Sequence, residues 1–288
     1  MQLDGKRVLI TGAGSGIGRA LAIEAARSGM TVALCGRRPD ALNTTLALMT
    51  PGKTHLRLRG DITDPAVRRG LRDYLWQRWG RLDVLVNNAG IVAAGPLAHA
   101  TDAGLERMMM TNVVAPIALS REMMPLLRFA APSRIVNVGS IFGDIAYPLF
   151  APYSASKFAL RGVSMAMRRE LKPYGIGVTY VAPRATKTDP TKAFEDLIKP
   201  LNMRMDDPAV VAAHIWRAVS KDLDTAYAKG AERLFLLIQK FAPRLVDRAI
   251  AAQMADPQIR DYLRKHPHPA AKEGGGDHWG NEQRASEN

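Results

Sequence analysis

The chain has 288 residues, of which 47% are hydrophobic and only 6% aromatic, so it holds enough aliphatic material to bury a sizeable core. Its single cysteine excludes an internal disulfide, and 40 Lys and Arg against 27 Asp and Glu give a formal net charge of +13. This composition excludes collagen-like, disordered and disulfide-stapled classes, and the positive field favours anionic partners.

The amino terminus shows no pattern of a secretory leader. Met1 is followed closely by Lys6, Arg7 and the strand-like run Val8 to Ile10, which leaves no space for an apolar stretch and a cleavage site. No window approaches the ~20 consecutive apolar residues that a membrane-spanning helix needs. We therefore expect a cytoplasmic protein, soluble or peripheral to a membrane, with Cys35 as a buried thiol.

Short β-branched runs alternate with longer segments of helical periodicity. Strands are predicted at Arg7–Ile10, Thr31–Leu34, Thr54–Leu58, Leu82–Val86, Arg134–Val138, Val178–Val181 and Thr225–Ala228. Helices are predicted at Ile17–Ser28, Pro39–Met49, Pro65–Trp79, Asp102–Phe129, Tyr153–Tyr174 and Asp207–Ser220. The alternation predicts a doubly wound, Rossmann-like α/β fold, with about seven parallel strands in the order 3-2-1-4-5-6-7 and helices on both faces.

The pattern divides the chain into three parts, of which residues 1–230 form the α/β domain. Residues 231–265 carry apolar side chains at helical spacing around Pro243, which predicts an amphipathic helical extension. This extension can close over a hydrophobic ligand, pack on the main domain, mediate dimerisation, or lie on an anionic membrane through Arg233, Lys240, Arg244 and Arg248. Residues 266–288 are rich in Pro, Gly, His and charge, which predicts a disordered tail.

A glycine-rich turn follows the first predicted strand and opens the first helix. It consists of Thr11, Gly12, Ala13, Gly14, Ser15, Gly16, Ile17 and Gly18. Glycines permit the tight turn and let backbone N–H groups approach a pyrophosphate at the helix N-terminus, where the helix dipole favours negative charge. Because the strand–turn–helix context is met, the turn predicts a dinucleotide site.

The end of the second predicted strand indicates which dinucleotide is bound. A carboxylate about 20 residues past the glycine turn ordinarily receives the ribose hydroxyls of NAD. Here the chain has Gly36, Arg37 and Arg38, and a guanidinium clasps a 2′-phosphate where a carboxylate would repel it. Asp40, the nearest acid, is explained by the first turn of a helix. We therefore expect NADP(H) to be preferred over NAD(H).

Tyr153 and Lys157 lie four residues apart on a predicted helix, so they share one face. Reduction of a carbonyl needs a proton donor at its oxygen, and a phenol with a pKa of about 10 suits this work once a nearby cation lowers that pKa. Lys157 is a candidate for this cation, and Ser140, at the end of a strand, can donate a hydrogen bond to the same oxygen. Asn112, near Pro116, can support a proton-relay water.

These residues, together with Asn87-Asn88-Ala89-Gly90 and Tyr153-Ser154-Ala155-Ser156-Lys157, resemble the short-chain dehydrogenase/reductase family over residues 4–230. The resemblance implies that Tyr153 is the acid/base, Lys157 its pKa modulator and ribose anchor, Ser140 the carbonyl orienter and Asn112 the relay support. It also implies cofactor contacts at Asp61, Ile62, Asn88, Ala89, Gly90, Pro183 and Thr188. A homodimer or homotetramer through the helices Asp102–Phe129 and Tyr153–Tyr174 is implied as well.

Two departures from the family pattern stand out. Arg184 occupies a position where the family usually has glycine beside the nicotinamide, and it can face solvent, the cofactor phosphates or an acidic substrate group. Ser15 stands in the glycine turn where many NADP-preferring relatives have a basic residue, so the expectation of NADP(H) depends on Arg37 and Arg38.

The interpretation that follows is an NADP(H)-dependent oxidoreductase that interconverts a carbonyl and a secondary alcohol, acting as a ketone reductase on a hydrophobic or lipid-like substrate. The alternative is a redox-sensing dinucleotide-binding module on an anionic surface, nucleic acid or membrane, which the charge of +13 motivates. Nucleic acid is disfavoured because no aromatic cluster interleaves with the basic residues. No metal is expected, since His266, His268 and His278 lack a fourth ligand.

Overall fold

The computed structural model describes residues 1–188, 191, 194–228, 230 and 232–266. Within them, one parallel sheet is formed by β1 (Arg7–Thr11), β2 (Thr31–Gly36), β3 (Leu56–Arg59), β4 (Val84–Asn87), β5 (Ser133–Val138), β6 (Ile176–Ala182) and β7 (Thr225–Tyr227). The strand order is β3-β2-β1-β4-β5-β6-β7, which confirms the predicted topology. Parallel strands need crossovers, and helices provide them.

The helices follow the strands in alternation. They are α1 (Gly16–Arg27), α2 (Pro39–Ala47), α3 (Pro65–Trp79), α4 (Asp102–Met109), α5 (Ala115–Phe129), α6 (Ala151–Leu171), α7 (Glu195–Ile198), α8 (Pro208–Ser220), α9 (Glu232–Phe241), α10 (Pro243–Met254) and α11 (Pro257–Lys265). Asp64 and Asp207 begin α3 and α8 by accepting hydrogen bonds from the amides two residues on, at 2.7 and 2.8 Å. A proline at the first helical position follows each of these caps.

Successive side chains of the central strands point to opposite faces of the sheet, and helices cover both faces, so both are buried. Val8 and Ile10 of β1 pack in the cluster that contains α1 and α8. Leu9, between them, packs in the cluster that contains α3 and α5. Continuous apolar runs such as Val8 to Ile10 therefore form fully buried strands, and the polar groups that follow the strands collect at one edge of the sheet.

The prediction of one continuous helix over Asp102–Phe129 is wrong in the middle of this range. A π-helical turn at Met110–Val114 separates α4 from α5. Pro116 has no N–H to donate to the carbonyl of Asn112, and a widened turn accommodates the missing hydrogen bond. The turn carries Asn112, so this departure from regular helix falls at a predicted site residue.

Helices α9, α10 and α11 lie within the predicted extension 231–265. Two helices were predicted there, and α11 was missed because its mean hydropathy is low; Asp256 caps it and Ile259 is its fully buried anchor. No helix in the described part of the chain has the length and apolarity that crossing a bilayer requires. A disordered tail was predicted for residues 266–288, and all of these except His266 lie outside the described residues.

Candidate active site

A cavity of about 790 Å³ opens at the edge of the sheet where the strands have their carboxyl ends. Its lining includes Gly12, Gly14, Ser15, Gly16, Ile17, Arg37, Arg38, Asp61, Ile62, Asn88, Ala89, Gly90, Ser140, Tyr153, Lys157, Pro183 and Thr188. The two other predicted site residues, Gly18 and Asn112, are set behind this wall. The fold thus brings the glycine turn and the Tyr-Lys pair to one cavity.

The glycine turn is shaped for a ligand that approaches its backbone. Gly12 and Gly16 have φ of +66° and +54°, a region that side chains other than glycine rarely adopt. A Cβ on Gly18 would lie 2.2 Å from the carbonyl oxygen of Gly12, so helix α1 approaches the turn closely. Ser15 precedes α1 without a side-chain cap, which leaves first-turn amides to an anion. The residues present fit the pyrophosphate of a dinucleotide.

Thr11 and Asn88 hold the turn against strand β4. The hydroxyl of Thr11 accepts hydrogen bonds from the amides of Asn88 and Ala89, both at 3.0 Å, and donates to the carbonyl of Val86 at 3.2 Å. The side-chain amide of Asn88 donates to the carbonyl of Thr11 at 2.9 Å. Asn88 therefore shapes the cofactor end of the cavity through the protein backbone.

Arg37 and Arg38 lie at the rim of the cavity, just after β2. Nη1 of Arg37 is 3.8 Å from a carboxylate oxygen of Asp61, and the Arg37 side chain is 72% exposed. Nη2 of Arg38 is 3.4 Å from the Ser15 hydroxyl. Ser15, at the position that is basic in many NADP-preferring relatives, thus contacts a cation from the neighbouring loop. A phosphate at this rim would meet two guanidinium groups.

Ser140, Tyr153 and Lys157 converge at the other end of the cavity. Ser140 follows β5 and accepts a hydrogen bond from the amide of Phe142 at 3.2 Å. Tyr153 and Lys157 lie on α6, where the ammonium of Lys157 donates to the carbonyl of Val138 at 3.0 Å. That ammonium is 5.6 Å from the centre of the Tyr153 ring. A hydroxyl, a phenol and a cation therefore surround one small volume.

Burial dominates the ionisation of this group. It raises the pKa of Tyr153 to about 12, an increase that the hydrogen bond with Ser140 only partly offsets. It lowers the pKa of Lys157 to about 8. The groups that shift the pKa of Tyr153 do not include Lys157, whose ammonium is itself desolvated and bonded to Val138, so the expectation that Lys157 lowers this pKa stays a prediction.

The Asn112 side chain joins two elements behind the cavity. Its oxygen accepts from the amide of Ile91, and its amide donates to the Ile91 carbonyl, both at 2.8 Å. The amide also donates to the hydroxyl of Ser156 at 3.0 Å. Asn112 thus links the segment after β4 to helix α6, next to Lys157. A Cβ on Gly90 would lie 3.2 Å from the Asn112 oxygen, so glycine leaves room for this contact.

Arg184 lines the cavity and is held by an ion pair that the sequence did not predict, and its contact with cofactor phosphates or an acidic substrate group stays a prediction. Its guanidinium forms a two-pronged ion pair with Asp206, at 3.0 and 2.6 Å, and both side chains are largely buried. Thr186 and Asp206 also form a parallel β-bridge. The ion pair ties the segment after β6 to the residues that precede α8. Thr188, in the same segment, lies against Gly16 on the cavity wall.

An aromatic wall, which was not predicted from the sequence, lies beside Tyr153. Phe142 stacks on Tyr147 with centroids 5.2 Å apart, and Phe150 meets Phe142 and Phe194 at 5.1 and 5.3 Å. These rings line the cavity. The density of aromatic residues between 142 and 153, in a chain with few aromatics, was the available signal.

Gln253 of α10 connects the extension to this wall. It bonds the hydroxyl of Tyr147 and donates to the carbonyl of Leu201 at 2.6 Å. Ile259 of α11, fully buried, packs in a cluster with Phe150 and Phe194. Of the four roles left open for the extension, packing on the main domain beside the cavity is observed for α10 and α11.

Among the described residues, no group of three or more His, Cys, Asp or Glu side chains is arranged to hold a metal ion. His266 stacks on Tyr262 with ring centroids 4.3 Å apart. His268 and His278 lie outside the described residues. The buried thiol of Cys35 has its pKa raised to about 12 by desolvation, so it is a poor nucleophile and a poor metal ligand.

Comparison with known proteins decides the family. The family model described as short chain dehydrogenase matches residues 6–197, which carry the glycine turn, Ser140, Tyr153 and Lys157. The chain belongs to the short-chain dehydrogenase family. It is therefore an oxidoreductase, and its cavity is a candidate active site of this family.

Two curated relatives and one solved structure illustrate the similarity within the short-chain dehydrogenase family. The chain is 30% identical to dehydrogenase/reductase SDR family member 7B of Bos taurus over 263 residues, 85% of the chain and 80% of that protein. It is 34% identical to 3-oxoacyl-[acyl-carrier-protein] reductase FabG of Salmonella typhimurium over 197 residues, 68% of the chain and 80% of that protein. A short-chain dehydrogenase from Streptomyces avermitilis superposes with a TM-score of 0.73 at 29% identity, over 87% of this chain and 99% of the other.

Proposed function

We propose that the protein is an NADP(H)-dependent reductase that converts a ketone on a hydrophobic substrate into a secondary alcohol. One observation carries the proposal: Ser140, Tyr153 and Lys157 converge at one end of a cavity whose other end is the glycine turn. The α/β domain 1–230 holds this site, and the extension 231–265 borders it.

The side chains divide the chemistry of carbonyl reduction. The nicotinamide, when bound, supplies the hydride that reaches the carbonyl carbon. The phenol of Tyr153 gives its proton to the carbonyl oxygen, and its raised pKa keeps it protonated at neutral pH. The hydroxyl of Ser140 orients that oxygen, and the ammonium of Lys157 stabilises the phenolate that remains. One hydride and one proton balance the reduction, and the reverse order balances oxidation.

A tyrosine variant tests the chemistry. Tyr153→Phe removes the transferable proton and leaves the glycine turn intact, so turnover of a ketone falls by about 10²–10⁴ while NADPH binding persists. The substrates are acetophenone, decanone and the N-acetylcysteamine thioester of an oxodecanoic acid, each followed by nicotinamide absorbance. Tyr174→Phe, at an exposed tyrosine beyond α6, is the matched control and keeps full activity. Undiminished turnover in Tyr153→Phe contradicts the mechanism.

Arg37 and Arg38 support the preference for NADP(H). A guanidinium–phosphate contact is worth about 1.5–3 kcal/mol, so Arg37→Ala weakens NADPH binding by roughly 10- to 100-fold and leaves NADH binding nearly unchanged. Calorimetric titration with each nucleotide measures this. Arg69→Ala, at an exposed arginine of α3 outside the cavity, is the control. Equal affinity of the unaltered protein for both nucleotides rejects the preference.

The aromatic wall of Phe142, Tyr147, Phe150 and Phe194 supports a hydrophobic substrate, because apolar walls favour apolar groups near Tyr153. The FabG relative is named as a 3-oxoacyl-[acyl-carrier-protein] reductase, and a 3-oxoacyl group carries a ketone next to an acyl chain. We propose a substrate with an apolar chain or ring next to its ketone. If none of the three ketones is reduced, the proposal of a hydrophobic ketone substrate fails.

An exposed stripe on α9 favours a peripheral contact with an anionic membrane from the cytoplasm. Leu234, Leu237 and Phe241 are 60%, 55% and 77% exposed, and the basic Lys240 and Arg244 lie nearby in the chain. Arg233 also belongs to this predicted surface; its side chain lies outside the described ones.

Co-sedimentation with phosphatidylglycerol-containing vesicles at low salt measures this contact. The triple variant Leu234→Ser, Leu237→Ser, Phe241→Ser stays in the supernatant, while Leu48→Ser, at an equally exposed leucine of α2's end, sediments like the unaltered protein. No sedimentation of the unaltered protein rejects the contact. Retention on duplex DNA with no ketone reduction would instead support the alternative of a redox-sensing module on nucleic acid.

A further inference from the structure

The phenol of Tyr180 lies directly behind Ser140. Tyr180 is a residue of β6 with 2% of its surface exposed, and it does not line the cavity. Its hydroxyl accepts a hydrogen bond from the amide of Ser140 at 3.4 Å and donates one to the carbonyl of Ser140 at 3.1 Å. One phenol therefore bonds both polar backbone groups of Ser140, whose carbonyl also accepts a hydrogen bond from the amide of Gly143 at 2.9 Å.

The loop around Ser140 is shaped to the Tyr180 ring. A Cβ on Gly139 would lie 2.2 Å from a ring carbon of Tyr180, and a Cβ on Gly143 would lie 2.4 Å from its hydroxyl. The same Cβ on Gly143 would lie 2.8 Å from the carbonyl oxygen of Lys157. The ring thus fills a slot formed by the two glycines, and Gly143 joins the Ser140 loop to the helix that carries Lys157.

We propose that Tyr180 is a positioning residue that fixes Ser140 relative to Tyr153 and Lys157. The inference rests on the proposed function, in which the Ser140 hydroxyl orients the substrate oxygen. Proton and hydride transfer need the reacting groups to be placed within a fraction of an ångström, and Ser140 stands in a loop whose position the strand alone does not set. The backbone amides of Gly139 and Ile141 bond the carbonyls of Val181 and Pro183, and the phenol adds a direct restraint on Ser140 from the side away from the cavity.

The surroundings keep this phenol in its neutral, donating form. Desolvation and the buried carboxylate of Asp144 raise the pKa of Tyr180. Asp144 itself is held by Arg161 at 3.0 Å and by the hydroxyl of Tyr227 at 3.0 Å. A neutral donor and acceptor is what the two bonds to Ser140 require.

The test removes only the hydroxyl. Tyr180→Phe keeps the ring in its slot, so we expect the fold and NADPH binding to persist while kcat for the best ketone of the panel falls about tenfold. Tyr227→Phe removes another hydroxyl of the same network that does not bond Ser140, and it keeps kcat. An unchanged kcat in Tyr180→Phe overturns the inference.

A double-mutant cycle separates positioning from general loss of structure. If Tyr180 acts through Ser140, Tyr180→Phe lowers kcat in the unaltered protein and has little further effect in Ser140→Ala. An equal loss in both backgrounds shows a structural role only and overturns the inference. If Ser140→Ala keeps full activity, the proposed function fails. If kcat falls in Ser140→Ala but not in Tyr180→Phe, only the inference about Tyr180 is overturned.

A conservative variant guards against a folding defect. p-Aminophenylalanine at position 180 keeps the ring and restores a donor to the Ser140 carbonyl, so we expect kcat to rise above that of Tyr180→Phe with NADPH affinity unchanged. Failure of this variant to exceed Tyr180→Phe counts against positioning by the hydrogen bond.

Discussion

Tyr153 and Lys157 are ionisable groups inside a protein, and their charges follow from burial. A phenol whose pKa is about 12 enters the reaction as an acid, which suits reduction. An ammonium whose pKa is about 8 retains its charge at neutral pH and loses it in mild alkali. The two side chains therefore have opposite shifts from the same physical cause, since desolvation always disfavours the charged form.

The pH dependence of stability reports on Lys157. Its pKa is about 8 in the folded protein and about 10.4 in the unfolded chain, so between these values the unfolded chain binds more protons. Stability from this group therefore rises with pH in that window. Relative to Lys157→Met, the unaltered protein should gain unfolding free energy from about pH 7 to about pH 9. Urea unfolding at each pH measures the difference, and parallel curves would contradict the shift.

Two glycines in helices test the close approach at the glycine turn. The Cβ of Gly18→Ala would meet the Gly12 carbonyl at 2.2 Å, so we expect a loss of about 1–3 kcal/mol and weakened NADPH binding. Gly70 of α3 is exposed with nothing within 4 Å of its Cβ, and Gly70→Ala should stabilise the protein by about 1 kcal/mol. Urea unfolding compares the two. A stabilising Gly18→Ala would mean that the turn is looser than described.

At the scale of elements, an ion pair and a short β-bridge hold the segment after β6. Arg184 and Asp206 are 13% and 19% exposed, and they join the two ends of the stretch that includes Thr188 and α7. A glycine at position 184 would have no side chain to form this ion pair. The two-pronged geometry of the pair orients the guanidinium as well as attracting it. The segment that borders the cavity is thereby fixed at both ends.

A thermodynamic cycle measures this restraint. Arg184→Ala, Asp206→Ala and the double variant should give a coupling free energy of about 1–3 kcal/mol in urea unfolding. The pair Arg264–Asp261 is 77% and 47% exposed and is the control, with a much smaller expected coupling because solvent screens it. The Arg184 variants should also raise KM for the ketone more than they change kcat. Equal coupling in both pairs would show that burial adds nothing.

At the scale of the whole molecule, exposed apolar side chains gather on the helices predicted to form an oligomer. Met110, Val114, Ile117, Phe158 and Met165, on the π-helical turn, α5 and α6, are 36% to 44% exposed. The exposed apolar stripe on α9 is separate from this set, because α9 is a different element. We propose that the first set is the homodimer surface, because self-association hides apolar area that monomers seldom expose.

Sedimentation velocity distinguishes the two surfaces. Phe158→Glu places a charge in the proposed dimer surface and should yield a monomer. Leu237→Glu, on the exposed stripe of α9, should leave the dimer intact and reduce vesicle binding. A monomer from Leu237→Glu would assign α9 to dimerisation, the third of the roles considered for the extension.

The sequence by itself determined the fold class, the strand order and the segments that meet at the cavity, because βαβ alternation, chain handedness and a glycine turn are local signals with one global solution. Seventeen of the predicted residues line one cavity for this reason. Tertiary structure alone decided what depends on contacts between distant segments. These are the ion pair of Arg184 with Asp206, the aromatic wall closed by α10 and α11, and the phenol of Tyr180 behind Ser140. Burial also set the pKa values of Tyr153 and Lys157. The burial of a side chain cannot be read from its neighbours in the sequence.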